Sequence, residues 1–236
     1  MNRSSRLIEL LFPDKCPFCG RMIRSGGSEE KLYCDNCRDD LIFYEQADTL
    51  PHEALDRILR LYVPMRYYSL AKKAMLRYKF NSEEWLYRPF SMIMHRFLSN
   101  NGGYDDIDII TCVPVSKKRY AKRGYDQSRL IARKLSELSG KPFRDLLERI
   151  DAGNKNRVTS AENYAQRAAD RRFNALDEGL ELYNARILLV DDIFTTGSTL
   201  NECGGILLEH GALYVNAACL MSGRQDIYYS AGEETA

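Results

Sequence analysis

The chain has 236 residues, 44% hydrophobic and 28% charged, an ordinary globular composition. Thirty-four basic against 33 acidic side chains leave a formal charge of +1, which argues against both a nucleic-acid coat protein and an acidic disordered tail. No run comes near the about 18 consecutive apolar residues needed to cross a bilayer, and the length allows one large domain or one domain with a small appendage.

The first residues, MNRSSRLIELLFPDKC, are basic and briefly apolar, but Glu9 interrupts the apolar stretch and no small-residue cleavage site follows it. A signal peptide does not fit, and a cytoplasmic location is expected. Leu7, Ile8 and Leu11 share one face of a short helix and read as packing residues. The seven cysteines divide into a cluster, Cys16, Cys19, Cys34 and Cys37, and three in apolar surroundings, Cys112, Cys203 and Cys219. An odd total with one tight cluster suggests a metal site plus buried thiols rather than a secreted disulfide framework.

CPFCG followed by CDNC gives CxxC-x14-CxxC. Each pair bends the backbone into a knuckle aiming two thiolates at one centre, and two knuckles supply the tetrahedral sulfur set that zinc prefers. Gly20 suits the turn after the first knuckle, and Gly26-Gly27-Ser28 a hairpin turn in the spacer. Two redox CxxC pairs are the competing assignment, although such a pair normally stands alone at a helix start in a larger fold. With all four positions filled by protein, the zinc is structural and the module a scaffold or docking surface. Residues 1–48 are therefore expected to form a zinc-ribbon domain and residues 49–236 the main domain.

Residues 41–60 read as a connector. LYVPMRYYS is strand-like, with Pro64 marking an edge or a bulge. SLAKKAMLRYKF and SEEWLYRPFSMIMHRFLSN look helical, with Leu70, Ala74 and Met75 apolar on the first, Ser82 as N-cap of the second, and Asn101-Gly102-Gly103 ending it. A buried strand spans 107–112 and a helix about 126–138, the latter with Leu130, Ile131, Lys134 and Leu135 at helical spacing. After a polar region come a strand at 186–190, a helix from 198 to 210 closed by Gly211, and a last strand, YVNAACLM. This order implies an α/β fold, a parallel sheet with helices on both faces. The tail after Arg224 looks loosely ordered.

The chemistry concentrates in ILLVDDIFTTGST, 187–199. The strand ends at the carboxyl edge of the sheet, where open α/β folds bind ligands, and the turn runs directly into a helix. Backbone N–H groups and hydroxyls of Thr195, Thr196, Gly197, Ser198 and Thr199 then converge on a helix N-terminus, a phosphate cradle. It has no P-loop lysine, so the phosphate should be a terminal monophosphate. Asp191 and Asp192 would repel that phosphate unless they serve another part of the same ligand. Vicinal sugar hydroxyls fit, with Mg²⁺ screening nearby charge.

This stretch resembles the phosphoribosyl pyrophosphate (PRPP) motif of type I phosphoribosyltransferases. A second stretch, CVPVSKKRYAKRGYDQS, opens at the same sheet edge with Lys117, Lys118, Arg119, Lys122 and Arg123 before Gly124. Alone it reads as a solvated basic loop or a nucleic-acid patch. Opposite a ribose-phosphate cradle it reads as a mobile loop that closes over pyrophosphate, with Ser116 and Lys117 at its base and Arg119, Lys122 and Arg123 neutralising the leaving group.

The order of zinc ribbon, Tyr78-Lys79-Phe80, basic hood and Arg123-Gly124-Tyr125-Asp126-Gln127 resembles the competence protein F family over nearly the whole chain. That resemblance implies a type I phosphoribosyltransferase-like domain behind a zinc ribbon, with Lys79 as a further pyrophosphate contact and a link to uptake of single-stranded DNA. Arg171-Arg172-Phe173-Asn174 matches a family element, whereas Glu162 stands where the family shows a glutamine, leaving 155–175 as a helical lid or plain surface. His52, His95 and His210 are spaced for no metal site. Tyr67, Tyr68 and Tyr78 are expected in the core or at its rim, with base stacking as the alternative. Two functions remain open. One is a Mg²⁺- and PRPP-dependent transferase of unknown acceptor, with Asp191, Asp192, Arg119, Lys122 and Arg123 catalytic. The other is a PRPP sensor or DNA-uptake adaptor that contacts single-stranded DNA or a helicase.

Overall fold

The computed structural model describes residues 15–23, 31–45, 55–150, 171–177 and 181–224. The readings of Leu7, Ile8 and Leu11, of Gly26-Gly27-Ser28, of His52, of Glu162 and of the tail after Arg224 lie outside them.

One sheet organises the molecule. β1 (Leu61–Tyr62), β2 (Met65–Arg66), β3 (Ile109–Cys112), β6 (Arg186–Phe194) and β7 (Tyr214–Ser222) pair in the order β1-β7-β6-β3, all parallel, with β2 also on β7. β1 and β2 are two pieces of one edge strand, parted at Val63 and Pro64. A proline has no N–H to give the ladder, which confines it to such an edge. The free side of this edge is covered by the chain leaving the cysteine module: Phe43 bridges Met65, Arg66 N–H donates to Ile42 O, and Tyr44 N–H to Pro64 O. An exposed ladder edge would invite pairing with other chains, and this cover closes it along residues 64–66.

Strand alternation sorts the core into two layers. Ile110, Leu188, Val190, Ala218 and Leu220 face α2 (Ser69–Phe80), α3 (Tyr87–Asn100) and α5 (Gln127–Ser139). Ile109, Ile187, Leu189, Val215 and Ala217 face the other way, toward α6 (Ser198–Glu209). Cys16, Phe18, Ile23, Leu32, Cys37 and Leu41 belong to the first layer, so the cysteine module packs into the same core as the sheet. Cys112, Cys203 and Cys219 are buried, as their apolar neighbours suggested.

Several boundaries differ from expectation. The helix predicted over 126–138 begins one residue later because Asp126 is its N-cap, accepting from Arg129 N–H at 3.0 Å. Ser82 does not cap the following helix. It sits at φ 58, where an extended N-cap conformation is impossible, and a short 3-10 turn, Glu84–Leu86, leads into α3. α6 stops at Glu209, with His210 at its end and Gly211 just beyond at φ 95. The polar region after α5 contains a small antiparallel pair, β4 (Leu147–Arg149) with β5 (Phe173–Ala175), that the sequence did not disclose. Of the tyrosines, Tyr78 is fully buried and Tyr68 exposed. His95 bonds Tyr104 and His210 bonds Ile206 O. No helix among the described residues is long and apolar enough to cross a membrane.

Candidate functional site

β6 does not end at Val190. β3 stops at Cys112, opposite Val190, but β7 goes on pairing with Asp191, Ile193 and Phe194, so the aspartates are held inside an extended strand. Beyond Val190 the β3 side of β6 is therefore open, and the first turn of α5 comes in beside it. Asp191 Oδ1 accepts from Ser128 Oγ at 2.9 Å and from Asp192 N–H at 2.8 Å. Asp192 Oδ1 accepts from Lys79 Nζ, the penultimate residue of α2, at 2.7 Å, with both side chains largely buried. Burial, together with the Asp192 charge, pushes the Asp191 carboxyl up to about 7.

The RGYDQ stretch orders this corner. Gly124 adopts φ 82 and ends α4 (Lys117–Arg123). The Tyr125 hydroxyl donates to Tyr78 O, and the Tyr78 hydroxyl to Gln127 O at 3.0 Å. Asp126 also accepts from Val115 N–H at 3.1 Å, fixing the turn after β3, and burial raises its carboxyl above the ordinary range. Gln127 Oε1 accepts from Arg123 at 2.8 Å, and the Arg123 guanidinium lies 5.1 Å from the centre of the Phe80 ring. Ser128 is an ordering residue that sequence reasoning did not single out, and Asp126, named there within residues 123–127, was given no role of its own. Both were in view inside CVPVSKKRYAKRGYDQS, but only folding shows that one holds Asp191 and the other the turn.

The basic stretch, expected as a mobile loop, is the helix α4. Ser116 caps it by accepting from Arg119 N–H at 3.3 Å, and Gly124 closes it. Arg123 turns inward to the site, whereas Lys117, Lys118, Arg119 and Lys122 are exposed. Across the corner, Gly197 at φ 82 starts α6, and Thr196 Oγ1 reaches Ser198 Oγ at 3.2 Å. Thr195, Thr196 and Ser198 are exposed there, Thr199 is half-buried and Gly197 buried. The structure thus brings Asp191, Asp192, Lys79 and Arg123 together, with Thr195–Thr199 following directly on β6. It leaves Ser116 and Lys117 at the start of α4 and Arg119 and Lys122 on its exposed surface. A magnesium ion fits here only with the ligand's help. Among the described residues the one group of three or more metal-binding side chains is the cysteine set, and Mg²⁺ commonly binds through one or two carboxylates plus substrate phosphates.

The cysteine set is separate. Gly20, at φ 75, turns the first knuckle, where its N–H donates to Cys16 O at 2.9 Å, and Lys15 bridges Met22. Cys34 is the N-cap of α1 (Asp35–Arg38), and Cys37 lies within that helix. Sγ of Cys16 lies 3.9 Å from Cys37 and Sγ of Cys19 3.5 Å from Cys34, and all four lie within 4.8 Å of one another. A tetrahedral zinc with sulfurs at about 2.3 Å needs S–S separations of about 3.8 Å, so the donors fit. Burial, with the neighbouring thiols, drives the Cys37 thiol well above its ordinary value, a burden that a divalent cation removes.

Comparison with known proteins agrees with both parts. Residues 108–230 match the phosphoribosyl transferase domain model and residues 7–48 the double zinc ribbon domain model. Competence protein ComFC of Streptococcus pneumoniae is 26% identical over 213 residues, covering 90% of this chain and 83% of that protein. Competence protein F of Haemophilus influenzae is 26% identical over 203 residues, 83% of this chain and 85% of that one. DNA utilization protein YhgH of Escherichia coli O157:H7 is 31% identical over 115 residues, 48% of each. The resemblance to competence proteins therefore runs through both the ribbon and the sheet domain.

Proposed function

Because the chain belongs to the phosphoribosyl transferase domain family, we propose that its carboxylate corner binds PRPP and transfers the phosphoribosyl group to an acceptor. The observation that carries this reading is one continuous run: two aspartates held in β6, one of them paired with Lys79, followed at once by a hydroxyl-rich turn at the start of α6. The N–H groups and hydroxyls of Thr195, Thr196, Gly197, Ser198 and Thr199 take the 5-phosphate. Asp191 and Asp192 accept from the two ribose hydroxyls. Lys79, held beside Asp192, reaches toward the pyrophosphate, which Arg123 flanks, with Ser116, Lys117, Arg119 and Lys122 closing from outside.

Transfer breaks the bond between the anomeric carbon and the pyrophosphate oxygen, and the electron pair leaves with pyrophosphate. The cations stabilise that leaving charge, and Asp191 and Asp192 face the positive charge growing on the sugar. Magnesium arriving with PRPP would supply further charge neutralisation at the pyrophosphate. The names of the relatives support a role in DNA uptake or utilisation.

The test is a titration of PRPP with and without Mg²⁺, comparing wild type with Asp191→Ala/Asp192→Ala. No binding by wild type would sink the reading. If binding is found, pyrophosphate release is followed over a panel of bases and single-stranded DNA. The exposed cations Lys117, Lys118 and Lys122 favour a second reading, in which the chain senses PRPP and meets single-stranded DNA or a helicase without catalysis. Binding without pyrophosphate release for any acceptor would select it.

A further inference from the structure

The cysteine module and the carboxylate corner meet on three consecutive residues of α2. Arg77 donates through Nη2 to the carbonyl of Pro17, inside the Cys16-Pro17-Phe18-Cys19 knuckle. Tyr78 donates to Gln127 O at 3.0 Å, and its own carbonyl accepts from Tyr125. Lys79 pairs with Asp192 at 2.7 Å. Successive helix residues project about 100° apart, so these contacts grip the last turn of α2 from three directions, and any rotation of that turn disturbs all three. A second line of packing joins the same points. The Phe18 ring lies 6.4 Å from Phe90, which meets Tyr78 edge-on at 5.6 Å. Phe90 and Tyr78 are both fully buried, and close-packed side chains transmit a displacement rather than absorb it.

We propose that Arg77 is a positioning residue that anchors Lys79 against Asp192 from the zinc knuckle, so that metal occupancy of the four cysteines and ligand binding at the carboxylates are coupled. The coupling is reciprocal by necessity: zinc tightens the ligand, and the ligand slows zinc release. Its ligand half rests on the PRPP reading; its structural half, the dependence of the α2 terminus on zinc, does not. Arg77 also lies 3.7 Å from Glu83, so Glu83→Gln serves as the control that spares the Pro17 contact.

The experiment uses the zinc-loaded full chain. Calorimetric Mg²⁺–PRPP affinity and zinc content are measured for wild type, Arg77→Ala, Arg77→Lys, Glu83→Gln, Lys79→Ala and the Arg77→Ala/Lys79→Ala double variant. Hydrogen exchange is followed in wild type before and after zinc extraction. Arg77→Ala is expected to keep its zinc yet bind PRPP roughly fivefold more weakly, with Arg77→Lys recovering most of the loss and Glu83→Gln unchanged. In the Lys79→Ala background the Arg77 substitution should add nothing, a result that a merely stabilising role would not give. Zinc extraction should raise exchange at residues 77–81 and 125–128 ahead of β6 and β7. Unchanged PRPP affinity in Arg77→Ala, or a loss that adds fully to that of Lys79→Ala, overturns the proposal. So does exchange that rises uniformly, or not at all, when zinc is removed. If wild type binds no PRPP, the functional reading fails by itself, and exchange alone decides: a localised rise upholds the anchoring, a uniform or absent one ends it.

Discussion

If Asp191 takes a ribose hydroxyl as proposed, it is the residue at which stability and function oppose each other. Its carboxyl titrates near 7 rather than near its ordinary 3.8, because burial and Asp192 disfavour the charge. The folded chain therefore holds this proton more firmly than the unfolded chain does. The stabilisation linked to that proton is complete below about 4 and is lost as pH rises through about 7. Asp191→Asn keeps an acceptor for Ser128 and Asp192 N–H but removes the charge. At about pH 8 it should melt higher, by about 1–2 kcal/mol in thermal unfolding, while losing PRPP affinity. For wild type, ligand acceptance by an ionised Asp191 implies PRPP binding that weakens as pH falls from about 8 to about 6, measurable by titration in matched buffers. That the two aspartates lead from a buried strand into a hydroxyl-rich turn at a helix start was legible from 187–199 alone. Their environment was not, because Ser128 lies 63 residues and Lys79 113 residues away along the chain.

Among the elements, those with clear apolar period were readable and those made by capping or distant pairing were not. β6 as far as Val190, β7, α5 and α6 followed from runs of buried aliphatic residues, with Asp126 near the start of α5 and Gly211 just past the end of α6. α4 was missed because five cations within about two turns repel one another and speak against a helix. What sustains it is local: Ser116 satisfies an N-terminal N–H, and Gly124 supplies the left-handed closure. β4 and β5 are only three residues each and exist because Phe173 is fully buried between them and α6, with Glu202 accepting from Arg172 and Phe173 N–H groups. Gly124 offers a clean test of capping. A Cβ there would meet nothing within 4 Å, so Gly124→Ala carries a pure backbone cost at φ 82. The expected loss is about 1 kcal/mol, or about 2–4 °C in Tm for a chain of this size, with a parallel weakening of PRPP binding as Arg123 shifts.

At the scale of the molecule, the double-CxxC module could be read as a separate ribbon, yet it shares a core with the sheet. Phe18, Leu32 and Leu41 pack with α2 and α3, and residues 42–44 bond to the sheet edge. Sequence spacing reports which sulfurs meet but not what their shell leans on. Zinc extraction is therefore expected to lower the melting temperature of the whole chain in one transition, followed by circular dichroism. A separate early melt that leaves the sheet unchanged would show the ribbon to be independent.

The placement of β7 has a consequence for how such a chain is born. The strand nearest the C-terminal side lies between the first strand and the centre of the sheet, pairing Leu61 with Ala217 and Leu189 with the same residue. During synthesis, β1 and β2 must wait beside an unfilled slot until more than 150 further residues have left the ribosome, their distance from β7 along the chain. Through that interval the early edge is unpaired on its inner side, while residues 42–44 shield residues 64–66 on its outer one. A metal-fastened module next to that edge gives the nascent chain a guard over an open strand edge before β7 arrives.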